Sequence, residues 1–439
     1  LVKFAGRQFA NFTTREGLCG NGVLGITRDK EGDLWFASYE GGLCCYDSQR
    51  FEDRSALVGS DLSIQFWSAA TDASGALWFG SSNGLFRYID DHVTTFNQEN
   101  GLNHRKVLSL LPSESGGMYI GTSKGLNFIK PGTDAASLVA EVPRHRIRNI
   151  LKAKDGSLWL ASNKGLHILS GSELRSFTTE EGLSSNSTYC LAIDPEGRTW
   201  VGTDNGLNIL TGDSVKQLTI EGIFGSNVIN FLKLVDDVMY VGTNSGLFTV
   251  HSLGELESLV FNNFSVHDGL VSMETNLNAV FSDGNGVLWF GTAEGLVRAN
   301  LDAIQQQQNL PPPTLVVDDV KVNLESRNWK ESDAEIDPRT GQPTSLDLAY
   351  NSNNITVYFT GISTTYPESV TYEYLMDGYD SEWQRDGTVD FAHYRNLPYD
   401  DFQFRVVAIN KEGARSDEVV VDLSIIPPFW FRGWFIALA

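Results

Sequence analysis

An apolar–aromatic–apolar phrase recurs seven times along the chain: Leu34-Trp35-Phe36, Leu77-Trp78-Phe79-Gly80, Met118-Tyr119-Ile120-Gly121, Leu158-Trp159-Leu160, Thr199-Trp200-Val201-Gly202, Met239-Tyr240-Val241-Gly242 and Leu288-Trp289-Phe290-Gly291. The central aromatics stand 43, 41, 40, 41, 40 and 49 residues apart. A Gly-Leu pair follows each phrase, from Gly42-Leu43 to Gly295-Leu296. A period of about 40 residues is what a four-stranded propeller blade requires. Within a unit, an apolar strand starts about twelve residues ahead of the aromatic, as at Val23, Phe66, Val107, Ile147, Val228 and Leu277, with Thr188 the polar exception. A turn, the aromatic strand, a hairpin ending in Gly and a fourth strand follow. The Gly supplies the positive φ that a tight hairpin needs.

The pattern predicts an all-β chain that opens with a seven-bladed β-propeller over residues 1–308. No outer strand follows the seventh unit, whereas Gln8-Phe9-Ala10-Asn11-Phe12-Thr13 reads as an outer strand without a blade. The N-terminal strand is therefore expected to complete blade seven, which closes the ring and limits exposed edges. The aromatics of the phrase are expected to pack between blades. The widest spacing predicts a longer loop around Glu255 to Asn263.

Pro311-Pro312-Pro313 forms a stiff linker. Alternating strands then take over, among them Ile355-Thr356-Val357-Tyr358-Phe359 and Phe402-Gln403-Phe404-Arg405-Val406. They predict a small antiparallel, fibronectin-like β-sandwich over 309–426. The last stretch, Pro427-Pro428-Phe429-Trp430-Phe431-Arg432-Gly433-Trp434-Phe435-Ile436-Ala437-Leu438-Ala439, turns from aromatic and basic to apolar. It predicts the start of a truncated transmembrane helix over 427–439, with Trp at the interface.

The seven phrases resemble two-component regulator propeller repeats. Tyr372-x-Tyr374-Leu375-x-x-Gly378-Tyr379-Asp380-x-x-Trp383, Tyr394-x-Asn396-Leu397-Pro398 and Phe402-x-Phe404-x-Val406-x-Ala408-x-Asn410 resemble the three-tyrosine (Y_Y_Y) domain. The resemblance implies a periplasmic sensor anchored in the inner membrane, with a histidine kinase or diguanylate cyclase as cytoplasmic output. The order of parts, with the sandwich between propeller and membrane helix, further predicts a homodimer whose rearrangement relays ligand binding. The best-known relatives carry two propellers and respond to oligosaccharides; this chain has one.

Composition narrows the partners. With 33 basic against 55 acidic residues the net charge is −22, which repels nucleic-acid phosphates and anionic lipid headgroups. Cys19, Cys44, Cys45 and Cys190 match no zinc spacing and are expected to be buried thiols. The seven histidines form no metal-ligand spacing. No catalytic set, metal site or cofactor site is predicted. Gly80-Ser81-Ser82-Asn83-Gly84 and Gly121-Thr122-Ser123-Lys124-Gly125 match a nucleophile elbow by letter but fall in the strand-to-strand turn of the repeat. Gly20-Asn21-Gly22-Val23-Leu24-Gly25 runs into a strand, not the helix a dinucleotide site needs.

Propeller ligands sit at a mouth of the central channel. Counting back eleven to fourteen residues from each repeat aromatic reaches the entries of the innermost strands. Among the residues there, Arg105, Lys106, His145, Arg146 and Arg148 make the third and fourth blades basic, and Trp67, Tyr189 and Asn227 fall in the same window. They predict a site for a small-molecule ligand, an oligosaccharide or an anion, with arginines on carboxylate and aromatics on a sugar ring. The expectation requires Arg105 and Arg146 to share one pocket. Two other readings differ in their signatures: a protein-binding scaffold would show a large apolar patch, and a propeller lyase a spare histidine at the axis, for which His145 is the candidate.

Overall fold

The computed structural model describes residues 8–59, 63–218, 226–307, 311–331, 334–363, 367–385, 387–410 and 413–431. The chain divides into two compact units, Leu1–Ile304 and Gln305–Ala439.

The first unit is a seven-bladed propeller. Blade 1 orders Val23–Arg28, Leu34–Ser38, Gly42–Tyr46 and Phe51–Asp53 from the axis outward, and each later blade repeats this antiparallel order. The innermost strands of blades 2 to 7 are Phe66–Thr71, Val107–Pro112, Ile147–Lys152, Thr188–Ile193, Ile229–Val235 and Thr275–Ser282, and each packs on the next, with that of blade 7 against that of blade 1. Blade 7 draws its outer strand from the other end of the chain: Phe9–Phe12 pairs with Gly295–Asn300, Phe9 opposite Ala299 and Phe12 opposite Leu296.

Local chemistry explains the repeated phrase. At Gly84 the backbone sits at φ 119°, and a Cβ would lie 2.4 Å from the Phe96 carbonyl oxygen, so only glycine fits. In the same hairpin Ser81 Oγ donates to the Gly84 carbonyl at 2.9 Å and accepts from the Asn83 N–H at 3.0 Å. Thr122, Ser162, Thr203, Thr243 and Thr292 repeat the bond to their own glycine carbonyls. The elbow-like letters thus belong to a turn-capping device. Trp35, Trp78 and Trp200 donate their indole N–H groups to Asp29, Asp72 and Asp194 at 2.8, 2.8 and 2.9 Å. Their rings pack across blade boundaries or along the blade face, as where Trp35 meets Phe79 and Tyr88 and Trp289 meets Phe12 and Phe36.

Two expectations need correction. Cys19 and Cys44 form a disulfide, while Cys45 and Cys190 are buried thiols. Spacing alone does not reveal the pair; the bridge replaces the contact by which the segment before an innermost strand meets the residue after Gly-Leu in the same blade, as where the Asn103 and Ser184 N–H groups donate to Asn127 and Asn208 at 3.2 and 2.8 Å. The bridge spans a sequence separation of 25, so chain-entropy accounting gives it about 3 kcal/mol. The double variant Cys19→Ala/Cys44→Ala should lose that amount in denaturant titration; a loss under about 1 kcal/mol would mean the native fold already holds the segment without it.

The second correction concerns the sandwich, whose sheets are not wholly antiparallel. One sheet orders Glu325–Ser326, Thr314–Val322, Ile355–Ile362 and Phe391–Tyr394. The other orders Glu335–Ile336, Pro343–Ala349, Val419–Ile426, Asp401–Ile409, Thr371–Asp377 and Gln384–Arg385. Pro343–Ala349 runs parallel to Val419–Ile426; a long connection, unlike a hairpin, leaves strand direction free. Between the sheets Val320, Val357, Phe359, Met376, Phe404 and Val406 are fully buried. The motif tyrosines satisfy their hydroxyls locally: Tyr394 donates to Asp380 at 2.6 Å, and Tyr372 accepts from the Gly361 N–H at 2.9 Å.

Among the described residues no helix is long and apolar enough to cross a membrane. Most of the expected membrane helix, residues 432–439, lies outside the described residues. The longer loop of blade 6 is present as residues 252–259, ahead of an outer strand Val260–Phe264.

Candidate functional site

Each innermost strand slips register just after its first residue: between Val23 and Gly25, Phe66 and Ser68, Val107 and Ser109, Ile147 and Asn149, Thr188 and Cys190, and Ile229 and Phe231. The extra residue is Leu24, Trp67, Leu108, Arg148, Tyr189 or Asn230. A bulge re-aims the side chain it carries. In blade 7 the slip is larger, with Thr275 opposite Thr292 and Val280 opposite Phe290, so four residues face one.

These irregularities build a cavity of about 140 Å³ on the axis, lined by Leu24, Trp67, Leu108 and Arg148 from the bulges, Leu277 and Asn278 from blade 7, and Lys106 and Arg146 from the strand entries. Asn278, at φ 55°, reaches across the channel. Its amide nitrogen donates to the carbonyls of Arg148 and Tyr189, both at 3.0 Å, and its oxygen accepts from Asn149 at 3.1 Å. A wider hollow of about 510 Å³ adjoins this cavity, lined by Asn21, Gly22, Tyr39, Glu40, Asn276 and Ala293 and sharing Leu24 and Trp67 with it. Trp67 is the wall between the two, held edge-on against Tyr39 at 5.3 Å.

The cavity is cationic. Lys106 Nζ lies 3.8 Å from the centre of the Trp67 ring, and the Arg148 guanidinium 4.7 Å from that of Tyr189. Arg148 also donates to Ser187 Oγ at 3.2 Å and the Thr188 carbonyl at 3.3 Å. Burial holds both Lys106 and Arg148 below their ordinary pKa values, and the Arg146 charge pushes the same way. Among the described residues none of the three cations has a carboxylate within ion-pair distance. The Trp67 indole N–H is buried and has no acceptor.

Of the residues singled out in the sequence, Trp67, Lys106, Arg146 and Arg148 come together. Arg105 is exposed and lies outside the lining, so Lys106 takes the place expected for it beside Arg146. His145 turns to His167, with Nδ1 3.1 Å from His167 Nε2. Tyr189 lies beneath Arg148, and Asn227 is exposed and donates to Asn205 at 3.1 Å. Neither cavity has a histidine in its lining. Leu24, Leu108 and Asn278 had no sequence signal, and Leu277 was legible only as a strand start, which the structure sets two residues earlier at Thr275.

Elsewhere, Asp29, Asp33 and Cys45 converge. The Asp29 oxygens already accept from the Asp33 N–H and the Trp35 indole, and burial pushes the Cys45 thiol up to about 12, which makes it a poor ligand. A hollow of about 410 Å³ on the sandwich is lined by Asp347, Asp377, Asp401 and Asp422, interleaved with Ser424 and Gln403 on a solvated sheet face.

Residues 17–40 and 182–205 match the two component regulator propeller family, and residues 363–427 match the Y_Y_Y domain. Histidine kinase P4 of Formosa agariphila is 22% identical over 450 residues, covering 95% of this chain and 32% of its own length. The chain thus spans about a third of that relative. Among solved structures, the extracellular domain of the putative hybrid two component system BT3049 from B. thetaiotaomicron aligns with TM-score 0.75 at 19% identity, over 96% of this chain and 58% of its own. Virginiamycin B lyase from Staphylococcus aureus aligns with TM-score 0.51 at 12% identity, over 66% of this chain and 97% of its own. At such identities the structural likeness speaks for the fold. The chain thus carries two component regulator propeller repeats at 17–40 and 182–205 and a Y_Y_Y domain at 363–427, on a fold shared with the extracellular domain of a putative hybrid two component system.

Proposed function

We propose that this chain is the periplasmic ligand-sensing part of a membrane-bound bacterial signalling protein, with its ligand at the channel mouth of the propeller. The observation that carries the reading is the cationic axial cavity and its adjoining hollow, joined by Trp67. The disulfide fits an oxidising compartment. Membrane attachment through the C-terminal segment is supported by exposed aromatics of the sandwich, where Trp430 packs on Tyr350 and Phe431 lies near Tyr399; such rings favour a lipid–water interface. Ligand binding would favour one arrangement of a homodimer, which it does only by binding the two arrangements with different affinity. The output past the membrane would be a histidine kinase, as in the curated relative's name, or a diguanylate cyclase.

Binding fits better than the other two readings. The large apolar side chains exposed on the propeller, Val260 and Val266, make no broad patch among the described residues. A lyase reading needs a histidine at the axis, and the lining has none. The test is a thermal-shift screen against oligosaccharides and small carboxylates. Specific binding at about 100 times Kd should add roughly 2.7 kcal/mol, and Trp67→Ala should abolish the gain. A panel without any shift would remove the small-molecule reading.

A further inference from the structure

We propose that the axial cavity takes the oxyanion group of an acidic ligand, a carboxylate or sulfate, while the hydroxylated body that bears it lies along Trp67 in the outer hollow. The inference rests on the reading of the mouth as a ligand site and names the ligand class.

Charge is the first argument. In a chain of net charge −22, cations ordinarily find acids: Arg87 pairs with Asp134, Arg175 with Asp213 and Arg198 with Asp194. Lys106, Arg146 and Arg148 instead converge on one cavity without a carboxylate among the described residues. Gathering three like charges, two of them partly buried, costs free energy that a bound anion offsets. Arginine forks suit carboxylate and sulfate oxygens alike.

Size and lining then orient the ligand. At about 140 Å³ the cavity holds the equivalent of roughly four or five waters, room for an acid group and the atoms next to it. The remaining walls are Leu24, Leu108 and Leu277, and the Asn278 amide is already committed to backbone and Asn149. Hydroxyls pushed inward would find donors in the cations but no side-chain acceptor for their own protons beyond the committed Asn278 amide, whereas an oxyanion needs donors alone. The outer hollow has the partners they need in Asn21, Tyr39, Glu40 and Asn276. Between the two regions stands the Trp67 ring, the wall they share and a flat apolar surface for the body of a ligand.

The experiment is calorimetric titration of the whole chain at low salt with matched sugars: galactose, galacturonate and galactose 6-sulfate, and the gluco series, as mono- and disaccharides. An acidic member should bind at least about tenfold more tightly than its neutral counterpart, and the carboxylate and sulfate arms decide which oxyanion is preferred. Arg146→Gln should cut the acid-to-neutral ratio severalfold without lowering the ligand-free melting midpoint, because Arg146 has no ion pair to lose and its removal relieves like charge. Arg105→Gln, outside the lining, should leave the ratio unchanged. Neutral sugars binding as tightly as acids, or a ratio that survives Arg146→Gln, would overturn the inference. Neutral binding that Trp67→Ala abolishes would keep the mouth as a ligand site without the acid preference. Binding by neither series would remove both.

Discussion

Asp194→Ala should destabilise the propeller by about 3 kcal/mol, because it leaves a buried indole donor unpaired and takes the buried carboxylate from Arg198, which keeps only the half-exposed Glu196 at 3.1 Å. The Asp194 side chain is fully buried and that of Arg198 is 11% exposed. One carboxylate oxygen accepts from Arg198 Nε at 2.6 Å and Trp200 Nε1 at 2.9 Å, and the other accepts from the Arg198 backbone N–H at 2.9 Å. Arg198 also donates to the Leu253 carbonyl in the long loop of blade 6, so the cluster ties blade 5 to its neighbour. An exposed pair of the same type would contribute under about 1 kcal/mol, and a loss that small would show that water reaches Arg198. Arg198→Met in the Asp194→Ala background should recover part of the deficit, since it leaves no buried cation short of its carboxylate. Asp72→Ala should cost less: its carboxylate also holds an indole, but its other partners are backbone N–H groups and the exposed Ser74 hydroxyl.

The same register logic explains what the sequence revealed of the site. The phrase around each Trp or Tyr sets the second strand, and the Gly-Leu pair sets the hairpin, so blade number followed from spacing, and ring closure from the outer-strand character of Gln8 to Thr13. Counting back to the strand entries gave a window of four residues, but side chains alternate along an extended chain. Lys106 and Arg146 stand one residue before the first paired residue, Val107 or Ile147, and line the axial cavity. Arg105 and His145 stand two before it and lie outside that lining. Trp67 and Arg148 stand one after it, on the bulge, and line the cavity too. Tyr189 holds the same bulge position in blade 5, where Arg148 covers it. Basic and aromatic character was therefore legible, and its direction was not. The floor was hidden for another reason. Leu277 and Asn278 belong to an insertion inside an innermost strand, and the long sixth spacing, read as a loop, also contained it. The Cys19–Cys44 bond was illegible for a different reason: its two positions touch in other blades too, through Asn103 and Asn127 or Ser184 and Asn208, but only the folded blade shows that they are neighbours.

Acidification from about pH 6.5 to about pH 4 should cost up to about 3 kcal/mol of stability through His167 alone. The ring is 3% exposed, with Nδ1 2.7 Å from Ser176 Oγ and Nε2 3.2 Å from Ser162 Oγ and 3.1 Å from His145 Nδ1. Burial first, and the His145 charge second, lower its pKa to about 4. Between that value and the ordinary 6.5 the unfolded chain takes up a proton that the folded chain refuses, so stability falls as pH falls through this window and levels off below it. His104, His145 and His251 are lowered by burial as well and add loss of the same sign. Glu16, Asp47 and Glu181, held low by hydrogen bonds, lose their contribution only as pH drops below the ordinary carboxylate range, so the two effects separate on the pH axis. A suitable replacement exists within the repeat itself. The residue after Gly-Leu in the third strand is His167 in blade 4 but Asn127 in blade 3 and Asn208 in blade 5, both fully buried and hydrogen-bonded. His167→Asn should therefore fold, and denaturant titrations at pH 7.0, 5.5 and 4.5 should show a flatter stability profile than the parent chain. An unchanged slope would move the acid sensitivity to the other three histidines. A flattened one would identify the His145–His167 pair, next to Arg146 in the chain, as the main proton-sensitive joint of the propeller in mildly acid surroundings.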